Sequence, residues 1–388
     1  MKVSCTQEAL SRGLGIVGRA VAVRSPLPIT SHVLITTDAG RLKLAATNLE
    51  ITMSCWIDAQ VDEEGAIAVP ARLLTDFVNT LPNDRMVLSV APRARQMRVV
   101  CARNEASVGG LDAEDFPPTP AVKDGVSVQF DPKGLRQAIA QTVFAAATDD
   151  SRPVLTGVHS QLEDKVLSLA ASDGFRLSVF RLPLDVAVPE RTELVIPAKA
   201  LSELNRLLGE EEEPVTLQTN AARTHALFRL TGARADAPAP FQGVEMVAQL
   251  IQGTFPNFSQ LLPGAFSSRA VVDVGDFLRE TRSASVFARD GSGIVRLVVT
   301  PGEGVTPGKV VISARAEEVG DNEGEIDAAV EGEGVKIAFN GKYLQDVLQA
   351  LDGGSVALET TGPSSQGAFK PVGTDNYVHV IMPMIVQW

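Results

Sequence analysis

The sequence predicts an α+β fold built from three consecutive, similar domains, and three observations lead to this prediction. A short pattern occurs at residues 69–77, 196–204 and 339–347: an apolar residue, a Pro or Asn, a basic residue, then apolar residues at helical spacing. A second helix-forming stretch precedes each copy, and β-like segments lie between the helices. Similar helix entries also arise by chance in α+β proteins, but three recurrences in the same order favour a triplicated unit.

The first predicted helix of each unit runs over residues 6–20, 131–145 and 273–288. Each stretch opens with a Thr or Asp, whose side-chain oxygen can accept a hydrogen bond from a free backbone N–H of the first turn. Apolar residues then follow at intervals of three and four, which is typical of a helix with one buried face. The second helix begins in the repeated pattern, where Pro or Asn before the basic residue suits a helix start.

Strands are predicted where β-branched and apolar residues alternate, as at residues 33–37, 42–46, 166–170 and 295–299. Because these segments follow one another without long helical crossovers, the sheets are expected to be antiparallel.

The copies lie about 130 to 140 residues apart, which is the length of a whole small domain rather than of a solenoid repeat. Pro-rich joints near residues 117–120 and 262–264 supply boundaries. The sequence therefore predicts a first domain at residues 1–122, a second at 123–267 and a third at 268–388.

The composition limits the class of protein. With 388 residues, 45% of them hydrophobic and 21% charged, the chain can build several cores and is not disordered. No signal-peptide pattern and no apolar run of about 18 residues is present, so we expect a soluble cytoplasmic protein without membrane contact. The three cysteines and four histidines are scattered, which predicts neither a disulfide framework nor a metal site.

The net charge of −12 is unevenly distributed along the chain. The six predicted helical segments contain 11 basic and six acidic residues, a net of +5, so the rest of the chain carries −17. Such helices can attract nucleic acid while the remaining surface repels it. Because base-reading motifs are missing and only 5% of residues are aromatic, any contact is expected with phosphates and without sequence specificity. The alternative is that these are ordinary solvated helix faces.

Motifs of known catalytic sites are missing from the sequence. It contains no phosphate-binding loop, no dinucleotide-binding glycine pattern and no nucleophile elbow. Ser172-Asp173-Gly174 predicts a turn between strands, since Asp-Gly is a strong turn signal. The run at residues 210–213 predicts a solvated loop rather than a cation site. We therefore expect no enzymatic activity, no cofactor and no metal.

Several segments together resemble the bacterial DNA polymerase III β sliding clamp family along nearly the whole chain. They are residues 25–29, 45–51, 69–72, 171–177, 254–258 and 382–384, with Tyr377 before the last of them. The Ser-Asp-Gly-x-Arg-Leu and terminal Met-Pro-Met elements are specific when found in this order. The resemblance implies a head-to-tail homodimer that closes as a ring of six domains, with helices lining a central hole that admits duplex DNA. It also implies a replicative processivity factor that tethers DNA polymerase, the clamp loader and other proteins with a clamp-binding motif.

The resemblance assigns DNA binding to Arg24 and Arg72, and the helix charges add Lys199 and Arg282. It places the dimer interface at Val286 and Phe287. The sequence departs from the family at Asp149, Pro153 and Val154, so their DNA contact stays open.

The family's pocket for partner peptides lies between the second and third domains, and its apolar wall with flexible methionines suits varied peptides. Phe175 makes that wall more apolar than the family's usual His or Tyr, and residues 385–388 extend past the usual end. The matching positions are Leu155, Ser172, Gly174, Phe175, Arg176, Leu177, Pro256, Gln260, Leu261, Asn340, Tyr343, Val380, Met382, Pro383 and Met384.

Two other functions compete with the sliding clamp. The first is a ring-shaped scaffold that binds partner peptides but no DNA. The second is a hydrolase in which folding brings His159 or His225 within hydrogen-bond reach of Asp173.

Overall fold

The computed structural model describes residues 1–22, 27–91, 94–209, 211–231, 241–289, 292–316 and 320–388. Over these residues the chain forms 25 strands and six α-helices. It divides into two compact units: the first contains Met1–Arg136 and Val188–Ile251, and the second contains Gln137–Ala187 and Gln252–Trp388.

The elements of the first half of the chain follow in chain order. They are β1 (Lys2–Thr6), α1 (Gln7–Val17), β2 (His32–Asp38), β3 (Arg41–Thr47), β4 (Ile51–Ile57), β5 (Gln60–Glu63), β6 (Ala66–Pro70), α2 (Ala71–Thr80), β7 (Arg85–Val90), β8 (Gln96–Cys101), β9 (Asn104–Gly109), β10 (Asp124–Phe130), α3 (Pro132–Ala140), β11 (Gly157–Glu163), β12 (Val166–Ser172) and β13 (Arg176–Pro183).

The second half begins within the first unit and continues in the second. Its elements are β14 (Thr192–Pro197), α4 (Ala198–Leu207), β15 (Val215–Asn220), β16 (His225–Leu230), β17 (Phe241–Gln249), β18 (Ser268–Asp273), α5 (Val274–Arg289), β19 (Ile294–Thr300), β20 (Gly308–Ala316), β21 (Gly320–Gly332), β22 (Val335–Asn340), α6 (Gly341–Ala350), β23 (Ser355–Thr360), β24 (Gly367–Pro371) and β25 (Tyr377–Ile381).

The first unit contains two antiparallel sheets, with strand orders β5-β1-β7-β8-β9 and β10-β15-β16-β17-β4-β3-β2-β6. In the larger sheet β17 pairs with β4, for example with Met246 opposite Met53. Strand β4 lies in the first predicted domain and β17 in the second. One sheet therefore continues from one repeat into the next.

The strands of the second unit lie in one sheet. Its strands follow the order β11-β12-β13-β25-β24-β23-β18-β21-β20-β19-β22. Strand β13 of the second predicted domain pairs with β25 of the third, with Ser178 opposite His379. The long strand β21 pairs with β20 through its first nine residues and with β18 near its end.

The predicted caps begin three helices. The Thr6 hydroxyl accepts a hydrogen bond from the Ala9 N–H, and the Asp131 carboxylate accepts one from Gly134. Asp273 does the same for Asp276. A side-chain cap of this kind stabilises a helix by about 1 kcal/mol. The three helix starts predicted from the sequence are thus confirmed.

Two of the predicted first helices are shorter than expected. Helix α1 ends at Val17 and passes into a 3-10 turn, and α3 ends at Ala140. After α3 the Thr142 hydroxyl donates to the Ala138 carbonyl at 2.7 Å, a local bond that competes with helical pairing. Residues 143–145 then form a separate 3-10 turn.

The predicted α+β class with antiparallel sheets and six helices is confirmed over the described residues. The second helix of each repeat starts directly after a strand, at Ala71, Ala198 and Gly341. No helix in the described part of the chain is long and apolar enough to span a membrane.

Candidate functional site

A tight turn between β12 and β13 forms one wall of the predicted peptide pocket. The Asp173 carboxylate accepts hydrogen bonds from the backbone N–H groups of Phe175 (2.9 Å) and Arg176 (3.0 Å). The Ser172 hydroxyl donates to the Arg176 carbonyl and accepts from the Gly174 N–H. Gly174 has a φ of +94°, which glycine adopts without strain. The turn predicted at this position is confirmed, and it leaves the Phe175 side chain exposed.

Arg176 lies beneath this turn and is only 8% exposed. Its Nε donates to Asp173 (3.0 Å), Nη1 to Asp346 (2.7 Å) and Nη2 to the Phe144 carbonyl (2.7 Å). The guanidinium carbon also lies 4.3 Å from the centroid of the Tyr343 ring. A buried charge is stable only when it is paired and hydrogen-bonded, and this one is. Because its nitrogens are used internally, Arg176 ties the β12–β13 turn to α6 and to Phe144 and does not offer these groups to a ligand.

The C-terminal segment lies against the same turn. The Met382 N–H donates to the Phe175 carbonyl at 2.9 Å, and the Met384 N–H donates to the Ala338 carbonyl at 2.8 Å. Both methionine side chains are exposed. The exposed Phe175 side chain therefore has flexible, polarisable neighbours, which can fit apolar groups of different shape.

An apolar cluster supports these exposed residues. Leu177 and Val380 are opposite each other on β13 and β25 and are both buried. Phe258 and Leu262, from the segment before β18, pack on the same cluster. Phe255 stacks on the His159 ring at 5.3 Å and fixes the start of that segment.

All fifteen predicted pocket residues lie in the second unit. Direct contacts bring together the residues of the β12–β13 turn, the start of α6 and the C-terminal segment, whereas residues 256–261 approach through their neighbours in the apolar cluster. Asn340 caps α6 by accepting from the Lys342 and Tyr343 N–H groups. Buried are Leu155, Arg176, Leu177 and Val380; half-buried are Ser172, Asn340, Tyr343 and Pro383; exposed are Gly174, Phe175, Pro256, Gln260, Leu261, Met382 and Met384.

Sequence reasoning missed four residues of this region. Asp346 completes the Arg176 pairing, and Arg152 donates to the Asp173 carbonyl at 2.8 Å. Phe258 and Leu262 pack on the apolar cluster beside the predicted pocket residues Leu177 and Val380. Phe258 lies in the 254–258 segment and could have been found there, but the partner of a buried arginine cannot be read from spacing.

Of the residues predicted to bind DNA, Arg24 lies outside the described residues. Arg72 and Lys199 are exposed in the first turns of α2 and α4, and Lys342 holds the same position in α6. A cation at a helix N-terminus is opposed by the helix dipole by roughly 0.3–1 kcal/mol. Its recurrence in three helices therefore indicates a role other than stability. Arg282 is exposed on α5.

A carboxylate follows each of these cations four residues later. Arg72 Nε lies 3.8 Å from Asp76 Oδ2, and Lys342 Nζ lies 3.2 Å from Asp346 Oδ1. The Arg72–Asp76 pair is exposed on both sides and therefore weak, so Arg72 remains available to a polyanion, whereas Asp346 is partly buried and is also bound by Arg176. In α4 the corresponding Glu203 binds Arg19 and Arg206 instead.

The predicted dimer residues lie on α5, where Val286 is exposed and Phe287 is half-buried. Each unit also has an incompletely paired sheet region. Strand β9 is the last strand of the five-stranded sheet, and the first half of β21 pairs with β20 but not with β18.

A buried Ser178–His379 pair is the closest approach to a catalytic arrangement that we find among the described residues. The Ser178 hydroxyl lies 2.6 Å from His379 Nδ1, but both residues are inaccessible to solvent. Burial lowers the pKa of His379 well below its ordinary value, and the positive charge of Arg176 adds to this effect. Asp173, the proposed residue of the hydrolase alternative, is instead bonded to the turn and to Arg176. Within the described ranges no three His, Cys, Asp or Glu side chains gather as a metal site.

Comparison with known proteins identifies the family. Three family models match successive parts of the chain: the N-terminal domain of the DNA polymerase III beta subunit at residues 1–120, the central domain at 129–257 and the C-terminal domain at 259–385. A beta sliding clamp of Staphylococcus aureus is 30% identical over 375 residues, covering 94% of each chain.

The chain belongs to the DNA polymerase III beta subunit family. A DNA polymerase sliding clamp of Bacillus subtilis has the same fold, with a TM-score of 0.90 and 26% identity over the full length of both chains. The DNA polymerase III subunit beta of Pseudomonas aeruginosa also aligns over both full lengths, with a TM-score of 0.87 and 26% identity. The resemblance stated from the sequence is confirmed, as are the three clamp domains. The general role of the chain is that of a sliding clamp, a processivity factor in DNA replication.

Proposed function

We propose that this clamp works as a closed homodimeric ring that encircles duplex DNA without reading its sequence and tethers DNA polymerase through the Phe175–Met382 pocket. The observation that carries this proposal is the exposed cation at the second position of α2, α4 and α6, once in each repeat. Such contacts attract phosphates from any sequence and are weak enough to permit sliding.

The homodimer is proposed from sheet edges. Strand β9 of one copy would pair with the first half of β21 of a second copy, which removes two exposed edges that otherwise favour aggregation. Charge supports this pairing, since exposed Arg103 directly precedes β9 and exposed Asp321 and Glu323 lie on β21. Val286 and Phe287 on α5 would pack at the same interface. We propose three domains per copy, at residues 1–122, 123–267 and 268–388.

The DNA contacts are proposed for Arg24, Arg72, Lys199 and Arg282. Because topology rather than affinity would hold the ring on DNA, each single contact contributes little. The chain would then work without catalysis, cofactor or metal, in the cytoplasm beside the nucleoid.

The experiment compares retention of the loaded protein on nicked circular DNA before and after the circle is linearised. A ring should stay on the circle and leave the linear ends within the same period, and it should sediment at about twice the 41.1 kDa chain mass. Equal escape rates from circular and linear DNA would refute encirclement. Replacing Arg72 and Lys199 together by Ser should lower the affinity of the protein for a short linear duplex and leave retention on circles unchanged, whereas Arg229→Ser, an exposed cation on β16, should change neither.

The pocket is proposed as the site for short peptides with apolar anchors from polymerase, the clamp loader and other partners. Phe175, Met382 and Met384 would contact the anchors, while Leu177 and Val380 form the floor and Arg176 fixes the wall. A pentapeptide with three apolar residues, Ac-Ser-Leu-Ser-Leu-Phe-NH2, should bind, and Phe175→Ser should weaken its binding by about tenfold. Binding that Phe175→Ser leaves unchanged would place the peptide elsewhere.

A further inference from the structure

The last seven residues form no strand, but they lie beside β22, the end strand of the second unit's sheet. The Met384 N–H donates to the Ala338 carbonyl, and Lys336 Nζ lies 5.7 Å from the centroid of the Trp388 ring. Residues 382–388, here called the tail, thus contact Ala338 through Met384 and Lys336 through Trp388. Because the residue numbers rise along the tail and fall along β22, the two segments run antiparallel. Since β22 is the last strand in the order, the tail lies along its open side.

The tail carries apolar side chains that the chain itself does not bury. Ile385 is 97% exposed and Trp388 is 53% exposed. They follow directly on Met382 and Met384, which are also exposed beside Phe175. A run of large exposed apolar side chains adjoining a pocket is characteristic of an interaction surface. The tail therefore extends the apolar surface of the pocket along β22.

The charges of this region favour an acidic ligand. The carboxylates of Asp173 and Asp346, which lie nearest the pocket, are both bound by Arg176. Lys336, in contrast, is exposed and stacked on Trp388. An aromatic ring with a cation above it can pack an apolar side chain and pair a neighbouring carboxylate at once.

We propose that Trp388 and Lys336 form a second recognition element, which binds an apolar residue and an adjacent carboxylate located outside the anchors of the partner peptide. The proposal rests on the peptide-binding function proposed for the pocket. It names the class of partner: a linear peptide whose apolar anchors are flanked by an acidic segment.

The experiment measures the affinity of three synthetic peptides for the full chain by titration calorimetry. The core probe is the pentapeptide above, and two longer probes add Phe-Asp-Asp to its amino or carboxyl end. One longer probe should bind at least about fivefold more tightly than the core. Trp388→Ala and Lys336→Gln should each remove most of this gain and leave the affinity of the core unchanged. Val372→Ala, which removes an exposed apolar side chain elsewhere in the second unit, should change neither affinity.

Fluorescence gives an independent reading, because the chain has only two tryptophans, Trp56 and Trp388. The emission of the wild type minus that of Trp388→Phe should change with the longer probe and not with the core. Equal affinities of core and longer probes, or a loss in Trp388→Ala shared equally by both, overturns the inference while leaving the pocket in place. Failure of the core to bind the wild type overturns the pocket and the inference together.

Discussion

Replacement of Arg176 by Gln tests whether this residue holds the pocket wall together from inside. The substitution removes one positive charge that serves two carboxylates, and it removes at least two of the three guanidinium hydrogen bonds. Gln can reach at most one of the former partners, since Asp173, Asp346 and Phe144 lie on three different segments. Asp173 then loses the cation that pairs with it, and Asp346 keeps only the exposed Lys342.

The loss in the free energy of unfolding can be estimated from the exposure of the two carboxylates. Breaking a fully buried ion pair destabilises a protein by about 3–5 kcal/mol. The side chains of Asp173 and Asp346 are 14% and 19% exposed, so water can solvate them in part and the loss is smaller. We expect a loss of about 2–3 kcal/mol. The second unit has about 190 residues, for which 1 kcal/mol corresponds to roughly 2–4 °C in Tm. The melting temperature of this unit should therefore fall by roughly 4–12 °C.

The assay is thermal unfolding followed by circular dichroism and calorimetry at pH 7.5. Arg206→Gln is the matched control, because it breaks an arginine–carboxylate pair whose arginine is 61% exposed. It should lower Tm by less than about 2 °C, as exposed pairs contribute little. A Tm for Arg176→Gln as close to the wild type as that of Arg206→Gln would refute the assignment of Arg176 as an internal support.

Two further predictions concern buried titratable groups. Burial raises the pKa of Cys5 and Cys55 to about 12 and also raises that of Cys101, so none of the three thiols should react with a disulfide reagent at pH 8 until denaturant is added; reaction of any thiol in the native protein contradicts this. Because burial lowers the pKa of His379, the unfolded chain binds more protons below about pH 6.5, and the free energy of unfolding should fall there by up to about 1.4 kcal/mol per pH unit. The Tm difference between pH 7 and pH 5 should shrink in His379→Gln and not in the control His32→Gln, which replaces a half-buried histidine; equal shrinkage would exclude His379 as the source.

Local signals made much of the fold predictable. Thr6, Asp131 and Asp273 cap their helices through bonds that reach only three residues along the chain, and such bonds depend on residue type and spacing alone. The repeated helix entries follow the same logic. Where a local competitor was overlooked, as with the Thr142 hydroxyl after α3, the predicted helix was too long.

Contacts between residues far apart in the chain could not be predicted from the sequence. Glu211, expected in a solvated loop, is buried and accepts hydrogen bonds from the Thr231 hydroxyl and the Glu213 N–H, a pairing that only folding creates. The contact of Arg176 with Asp346 spans 170 residues in the same way. The pocket residues themselves came from family resemblance, because apolar residues at such distances carry no signal of their own.

The pairing of β17 with β4, and of β13 with β25, has a consequence for any shortened version of this gene product. Strands of neighbouring repeats pair with each other. A fragment cut at a repeat boundary would therefore expose a strand of five to nine residues whose backbone N–H and C=O groups lack hydrogen-bond partners on one side. Such a fragment would aggregate or be degraded by proteases. Fragments for gene fusions, split reporters or proteolysis should therefore contain complete sheets, even where the sequence predicts a domain boundary between two strands of one sheet.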